Sequence, residues 1–367
     1  MPMKNKFQKT ICLDSDTGNV IFDVEMWQNG IVKCPQCTMP IESKEKILGI
    51  HPCPNCQSPV FFPCKMKDYV LYSTLGTGGL GRVFLAIKTN EPGRKYAVKV
   101  SNHAFTGDEY SLKILLREAN TGLDLGKHPN IVEILDVDMV GNLVFVVLPL
   151  IEGMRLDRIV SYSGFLSERK ALHLVSQIIE AEIHICSKGF LYRDLKPENI
   201  IVDKGGNAKL FDYGLTIKKE DASLAGKLEY SDDIEGSPYY IPPERILGLP
   251  ENESSEIYSL GMMLYHMLKG QPYFSTVTEL EQIVRSHVLD LKGISVADEM
   301  KRCTTGTIRL IDRMITRMPA MRYQTLDELR IDVRDILSEV ATTKTIKLKK
   351  SDLFKDGKVP GEDLRGQ

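Results

Sequence analysis

The sequence predicts an α+β chain of two lobes, strand-rich and then helical, preceded by a small cysteine-rich unit. Six of its eight cysteines (Cys12, Cys34, Cys37, Cys53, Cys56 and Cys64) fall in the first 64 residues. Short β-branched and aromatic runs broken by Gly, Asn and Pro then dominate to about residue 150. Beyond about residue 155 the apolar residues recur at helical spacing. These shifts put the cysteine-rich unit at 1–66 and a large domain at 67–340, its first lobe at about 67–150 and its second at about 151–340. A polar tail, 341–367, carries Lys344, Lys347, Lys349 and Lys350. No internal repeat or low-complexity tract stands out.

Composition narrows the function classes. With 367 residues and 43% apolar side chains the chain can bury a large core. Its 47 basic and 49 acidic residues leave a charge of −2, which excludes a protein that coats nucleic acid through a global positive field. The longest apolar run, Leu143 to Ile151, is nine residues, about half of a membrane span. The basic start, Met1 to Lys6, has no apolar stretch behind it, so no secretory leader is expected. A soluble cytoplasmic protein with no membrane partner is the expectation.

Taken in order, the N-terminal unit shows strand-like runs at Val20–Val24 and Pro59–Phe62. Between them lie Cys34-Pro35-Gln36-Cys37 and Cys53-Pro54-Asn55-Cys56, two C-x₂-C turns fifteen residues apart. Each turn presents two thiolates to one tetrahedral ion, and two turns complete its shell, so structural Zn²⁺ is expected on Cys34, Cys37, Cys53 and Cys56. The pattern resembles a zinc ribbon. A redox pair would be single and set in a βαβ unit. A unit this small has a thin core, and a structural zinc contributes on the order of 10 kcal/mol. His51 is a bystander, and Cys12 and Cys64 are left over, Cys64 expected beneath the ribbon. Lys33, Lys44 and Lys46 lack interleaved aromatics. Docking to a protein partner or to the large domain is therefore expected rather than nucleic-acid binding.

In the large domain, strands are expected at Tyr69–Leu75, Arg82–Lys88, Lys95–Val100, Val132–Val137 and Leu143–Leu148, with one helix at about Glu109–Leu125. Ser167 caps a long helix ending near Gly189, and a second apolar helix runs through Ile257, Leu260, Leu264, Tyr265 and Leu268 to Gly270.

The chemistry-bearing residues punctuate these elements. Gly76-Thr77-Gly78-Gly79-Leu80-Gly81 fits G-x-G-x-x-G, a pattern that a tight turn between strands also produces. A dinucleotide fold would follow it with a helix, whereas Arg82–Lys88 continues as a strand. Strand, glycine loop and strand make a flap whose N–H groups can lie over nucleotide phosphates. Lys99 ends an apolar strand and has Glu118 as a candidate ion-pair partner, Glu109 being nearer the helix start and solvated. A later loop carries Tyr192-Arg193-Asp194-Leu195-Lys196-Pro197-Glu198-Asn199, and Phe211-Asp212-Tyr213-Gly214 follows a strand. Asp194 can accept a hydroxyl proton, Lys196 can neutralise a transferring phosphoryl group, and Asn199 and Asp212 offer hard oxygen ligands for Mg²⁺. Singly each is an ordinary turn residue; as an ordered set they suit phosphoryl transfer.

Motif by motif, residues 68 to 340 resemble the eukaryotic-type protein kinase family. The resemblance implies a bilobal protein-kinase-like fold with ATP between the lobes. It implies that Gly76, Gly78, Gly81 and Val83 cover the nucleotide and that Lys99 pairs with Glu118. Asp194 would be the catalytic base, and Asn199 and Asp212 would hold Mg²⁺. Val83, Ala97 and Ile201 match positions that sandwich adenine, and Leu148 to Gly153, including Leu150, matches the hinge. Gly236 to Glu244 matches the close of the activation segment, with Glu244 paired to Arg322. Lys196 and Ser237 resemble Ser/Thr kinases, which implies protein substrates phosphorylated on Ser/Thr, and autophosphorylation.

Several positions depart from the family pattern. Tyr192 replaces His, Tyr213 replaces Phe, Pro242 replaces Ala and Glu256 replaces Asp, while Gly122, one turn after Glu118, is unusually small. The two tyrosines are expected to fill the space Gly122 leaves. None of these changes removes a phosphate- or metal-handling group, so an active enzyme is favoured over an ATP-binding scaffold or a ribbon-led nucleic-acid adaptor. Arg193 would wait for an activation-segment phosphate, on Ser223 or Ser231, or be served by one of Glu220, Asp221, Glu229, Asp232, Asp233 and Glu235.

Overall fold

A computed structural model of the chain describes residues 12–13, 24–42, 49–78, 81–101, 109–141, 143–222, 237–289 and 295–342. The expectations for Val20 to Asp23, for Lys44 and Lys46, for the loop tip Gly79–Leu80, for residues 223–236 and for the tail beyond 342 lie outside them.

The cysteine-rich segment begins with a short strand β1 (Cys12–Leu13) and helix α1 (Val24–Gln28), so Val24 starts a helix instead of closing a strand. Two hairpins follow, β2 (Ile31–Lys33) with β3 (Pro40–Glu42) and β4 (Gly49–Pro52) with β5 (Pro59–Phe62). They are copies of one design. Cys34 N–H donates to Met39 O at 3.0 Å and Thr38 N–H to Cys34 O at 3.0 Å; Cys53 and Gln57 repeat this with Ser58 O and Cys53 O at 2.8 and 3.0 Å. Thr38 and Gln57 both take left-handed backbone, at φ 57° and 60°. Aligned this way, Cys-Pro-Gln-Cys-Thr-Met-Pro and Cys-Pro-Asn-Cys-Gln-Ser-Pro are a short internal repeat, too brief to show as periodicity in the sequence.

Strand β6 (Cys64–Met66) joins this segment to the first lobe by pairing with β7 (Tyr69–Gly78). The sheet continues through β8 (Gly81–Lys88) and β9 (Glu91–Ser101) to β10 (Asp136–Val140) and β11 (Leu143–Pro149), in the order β10-β11-β9-β8-β7-β6. Strand alternation splits it into two faces. Val70, Val83, Leu85, Ala97, Val146 and Leu148 face helix α2 (Glu109–Leu125) and share one cluster with the second lobe. Leu71, Phe84, Ala86, Val98, Val100 and Phe145 form a separate cluster on the opposite face, which Phe61 of β5 joins, its ring 6.0 Å from that of Phe84. Cys64 packs at the margin of this second cluster and not beneath the ribbon, because β6 belongs to the lobe's sheet.

One expected strand is displaced. Residues 132–135 are irregular and β10 begins at Asp136. Ile131, Val132 and Ile134 are buried in the cluster that spans both lobes, and Val132 N–H donates to Leu210 O at 2.8 Å. Their apolar pattern serves the seam between the lobes, not a sheet ladder.

The second lobe opens with β12 (Ile151–Arg155) and α3 (Leu156–Ser163). The long helix α4 (Glu168–Ser187) has the Ser167 cap, its hydroxyl accepting from Lys170 N. Short strands β13 (Phe190–Leu191), β14 (Ile200–Asp203), β15 (Ala208–Leu210) and β16 (Ile217–Lys218) bracket the catalytic-loop candidate. β12, β14 and β15 make a sheet to which β1 adds in parallel, Cys12 opposite Ile151. Trp27 of α1 also packs on the main cluster. Helices α5 (Lys219–Ala222) and α6 (Pro243–Ile246) precede α7 (Glu253–Lys269), capped by Asn252 and Ser255 and ended by left-handed Gly270. Helices α8 (Leu280–Leu289), α9 (Val296–Glu299), α10 (Thr305–Met314) and α11 (Leu326–Thr342) complete the lobe. No helix among the described residues is long and apolar enough to cross a membrane.

Candidate active site

The candidate residues converge on the seam between the lobes. On β9, Ala97 and Lys99 share the face that looks toward α2. Lys99 and Glu118 are both buried and form an ion pair, and Asp212 Oδ1 lies 3.9 Å from Lys99 Nζ. A buried ammonium needs such partners, since an unpaired charge in this interior would cost several kcal/mol. Glu109 is exposed, as expected.

The loop between β13 and β14 holds the second group. Lys196 Nζ donates to both carboxylate oxygens of Asp194, at 2.8 and 2.7 Å. Asn199 Nδ2 donates to Asp194 O at 2.9 Å and Oδ2 at 2.7 Å, which commits its amide hydrogens and leaves its oxygen as the atom suited to a hard cation. Burial pushes the Asp194 carboxyl above its ordinary value, against the pull of the Lys196 charge. Arg193 and Asp212 both take left-handed backbone, φ 68° and 69°, a strained conformation for residues other than glycine. Here surrounding bonds hold it: Arg193 N–H donates to Glu256 Oε1 at 2.9 Å.

Val83, Ala97, Leu148 and Ile201 are buried in the cluster that spans the seam, and Leu150 packs against it half-buried. Gly76 and Gly78 lie on β7 opposite Val83 and Gly81 of β8. A Cβ on Gly81 would stand 2.5 Å from Val100 O, so this glycine is required by the neighbouring strand whatever it does for a ligand.

Tyr213 does fill space beside Gly122, but the nearest side chain there is Ile134 and not Tyr192. A Cβ on Gly122 would meet the Ile134 side chain at 2.4 Å and the Tyr213 ring at 3.2 Å, so those two occupy the space a larger residue would need. Tyr213 Oη donates to Val132 O at 2.7 Å, and Tyr192 Oη donates to Phe211 O at 2.5 Å. The two rings meet edge to face at 6.2 Å. Glu244 and Arg322 form a buried two-pronged pair at 2.7 and 3.0 Å, and all five guanidinium hydrogens find acceptors, the others being the carbonyls of Thr316, Ser254 and Arg317.

Three groups of residues here were not anticipated. Arg193 is paired with Glu251, which also binds Arg245; the loop 249–251 carries no motif that would reveal this. Glu182 of α4 is fully buried, and neither carboxylate oxygen has a hydrogen-bond partner among the described residues. His287 of α8 bridges Tyr258 Oη at 2.7 Å and Pro238 O at 2.9 Å, tying α7 to the residues that precede α6.

Away from the seam, one sulfur from each of Cys34, Cys37, Cys53 and Cys56 lies within 4.8 Å of all the others. Two pairs run between the hairpins, Cys34 to Cys56 at 3.6 Å and Cys37 to Cys53 at 3.7 Å. Tetrahedral Zn–S bonds of about 2.3 Å require sulfurs ~3.8 Å apart, so the spacing fits a zinc ion. The thiols do not shift together. The Ser58 hydroxyl and backbone N–H hold Cys56 down at about 6 and the Met39 backbone lowers Cys37. Cys34 instead stands at about 11, the help of the Cys37 backbone N–H being outweighed by burial and by the Cys56 and Cys37 sulfurs.

The protein kinase domain model matches residues 69–332, well over half of the chain. Among named proteins, the chain is similar to the serine/threonine-protein kinase PrkC of Bacillus subtilis, 27% identical over 271 residues that cover 72% of this chain and 40% of that protein. A probable serine/threonine-protein kinase of Clostridium acetobutylicum is 29% identical over 268 residues, 73% of this chain and 40% of that one. Probable serine/threonine-protein kinase PknB of Lactococcus lactis is 30% identical over 203 residues, 55% and 32% respectively. The chain thus spans less than half the length of each of these relatives. With lobes, seam and matching residues in agreement, the chain belongs to the protein kinase domain family.

Proposed function

We propose that the chain is a Ser/Thr protein kinase that transfers the γ-phosphate of ATP to Ser/Thr hydroxyls of protein substrates and of itself. The observation that carries this is the joined set at the seam: Lys99 with Glu118 and Asp212, and Asp194 with Lys196 and Asn199. Names of the relatives support Ser/Thr over other acceptors. In the proposed reaction the substrate oxygen bonds to the γ-phosphorus, the bond to the bridging oxygen breaks, and ADP leaves with that electron pair. The hydroxyl proton passes to an Asp194 carboxylate oxygen, whose basicity burial raises. Lys196, which touches both of those oxygens, must release one to let the proton in, and its charge then serves the phosphoryl group. Lys99 is assigned to the α/β-phosphates, with Glu118 orienting it, and Gly76, Gly78, Gly81, Val83, Ala97, Leu148, Leu150 and Ile201 to the nucleotide. Asn199 and Asp212 are assigned to Mg²⁺, which when bound offsets the negative charge of the phosphate oxygens.

For the N-terminal unit, 1–66, we infer a structural zinc on Cys34, Cys37, Cys53 and Cys56, a role in docking to protein, and no nucleic-acid partner. The kinase domain is assigned to 67–340, the polar tail to 341–367, and the working location to the cytoplasm. A scaffold that bound nucleotide without turnover would not need the Asp194–Lys196–Asn199 set. An ATP-turnover and autophosphorylation assay of the wild type beside Asp194→Ala and Asp212→Ala tests the reading. Transfer lost in both variants supports it; nucleotide binding without transfer in the wild type refutes it.

A further inference from the structure

Arg193 is gripped at three points. Its amide donates to Glu256 Oε1 at 2.9 Å, its carbonyl accepts from Arg245 Nη1 at 2.6 Å, and its Nη2 donates to Glu251 Oε1 at 2.7 Å. Glu251 closes the ring by accepting from Arg245 Nε at 2.8 Å on its other oxygen. The side chains are buried: 9% exposed for Arg193, 3% for Glu251 and 10% for Arg245. Burial pushes the Glu251 carboxyl up, but the Arg245 and Arg193 charges outweigh it and hold it below the usual range.

Two guanidiniums thus face two carboxylates, Glu251, held below the usual range, and Glu256, which burial pushes up to about 7, so the cluster carries at most one net positive charge. A phosphate dianion added there would leave an excess of negative charge in a poorly solvated place. An arginine grips phosphate best with two parallel N–H groups. On Arg193 the Nη2 side of that fork is engaged by Glu251, and the buried Nε is without a partner among the described residues. The ring also reaches the activation segment directly. Glu251 N–H donates to Ala222 O at 2.9 Å, and Lys219 Nζ donates to Glu253 Oε1 at 2.9 Å.

We propose that Glu251 is a positioning residue for phosphoryl transfer: it holds Arg193, and through it Asp194, in the place an activation-segment phosphate would otherwise fill, so the site is set without one. This rests on the kinase reading above. The carboxylate comes from the turn before α7, not from any of the acidic residues between Thr216 and Glu235; of those, Glu220 and Asp221 are exposed.

The test uses the full chain. A Ser223→Ala, Ser231→Ala double variant, coexpressed with a phosphatase and shown phosphate-free between 216 and 236 by mass spectrometry, should keep kcat within about twofold of wild type, while Glu251→Gln should lose about tenfold or more in kcat with KM for ATP little changed. Glu251→Asp should recover part of that loss, and serves alone if Glu251→Gln does not fold. A roughly tenfold loss in the phosphate-free double variant, or wild-type kcat in Glu251→Gln, overturns the proposal. Should the wild type transfer no phosphate, the kinase reading fails by itself, and hydrogen exchange over 190–199 still decides the clamp. Faster exchange in the Glu251 variant supports it; unchanged exchange sinks it.

Discussion

Gly122 and Tyr213 show how a single-atom difference is settled by its neighbours. The Tyr213 hydroxyl gives its hydrogen to Val132 O, so Tyr213→Phe leaves that buried carbonyl with one donor fewer and should cost about 1 kcal/mol in urea unfolding. Gly122→Ala should cost more, about 1–3 kcal/mol, because the new methyl meets Ile134 where the side chain must give way. A Gly122→Ala protein as stable as wild type would mean that the space is not filled as described. Glu182 offers a pH readout at the same scale. Burial and the nearby Glu256 and Glu253 charges raise its carboxyl well above the ordinary 4.5. The folded chain then keeps this proton where the unfolded chain has lost it, so its stabilising effect is complete below 4.5 and declines as pH rises. Glu182→Gln, which stays neutral, should therefore melt progressively higher than wild type between about pH 5 and 8. A Tm difference that does not grow with pH would show that Glu182 is ionised in the fold.

Among elements, β9 and α2 are linked by one ion pair. Glu118→Gln leaves Lys99 near Asp212 but strips away its main counter-charge, and breaking a buried pair in this way costs about 3–5 kcal/mol. Phosphate transfer should fall at least tenfold, about 1.4 kcal/mol on the barrier, because Lys99 is no longer oriented by Glu118. An unaltered kcat/KM would remove Lys99–Glu118 from the mechanism. Elements of this kind were largely readable in the sequence, and for definite reasons. Helix α4 had its Ser167 cap and α7 its Gly270 terminus, while β7, β8, β9 and β11 were framed by Gly, Asn and Pro. The Cys knuckles and the Lys99, Asp194 and Asp212 set announce themselves by spacing. What stayed hidden depends on residues distant in the chain. Val132 and Ile134 alternate as a strand would, yet the other lobe claims them. Cys64 lies next to the ribbon in sequence and beside the lobe's sheet in space. Arg193 and Glu251 are fifty-eight positions apart, with no local pattern to link them.

For the molecule as a whole, the cysteine-rich segment touches the first lobe through Phe61, laid on the cluster around Phe84. Purified protein should carry about one zinc per chain by elemental analysis, and Cys53→Ser should abolish it, because three ligands leave the tetrahedral shell open. Loss of the ion should also lower the melting temperature of the kinase domain, whose sheet face Phe61 of the second hairpin touches; two transitions that move independently would show the units to be uncoupled.

The pairing of β6 with β7 has a practical meaning for anyone dissecting the chain. A fragment trimmed to begin at Asp68 would strip the outermost strand and bare the stretch of β7 that it covers, Tyr69 to Leu71, with unpaired N–H and C=O groups inviting another molecule to dock there. Beginning at Pro63 instead retains β6 as a guard strand, with Lys65 on that outer edge. A fragment that begins at Asp68 should therefore aggregate more readily than one that begins at Pro63, which light scattering of the two would show.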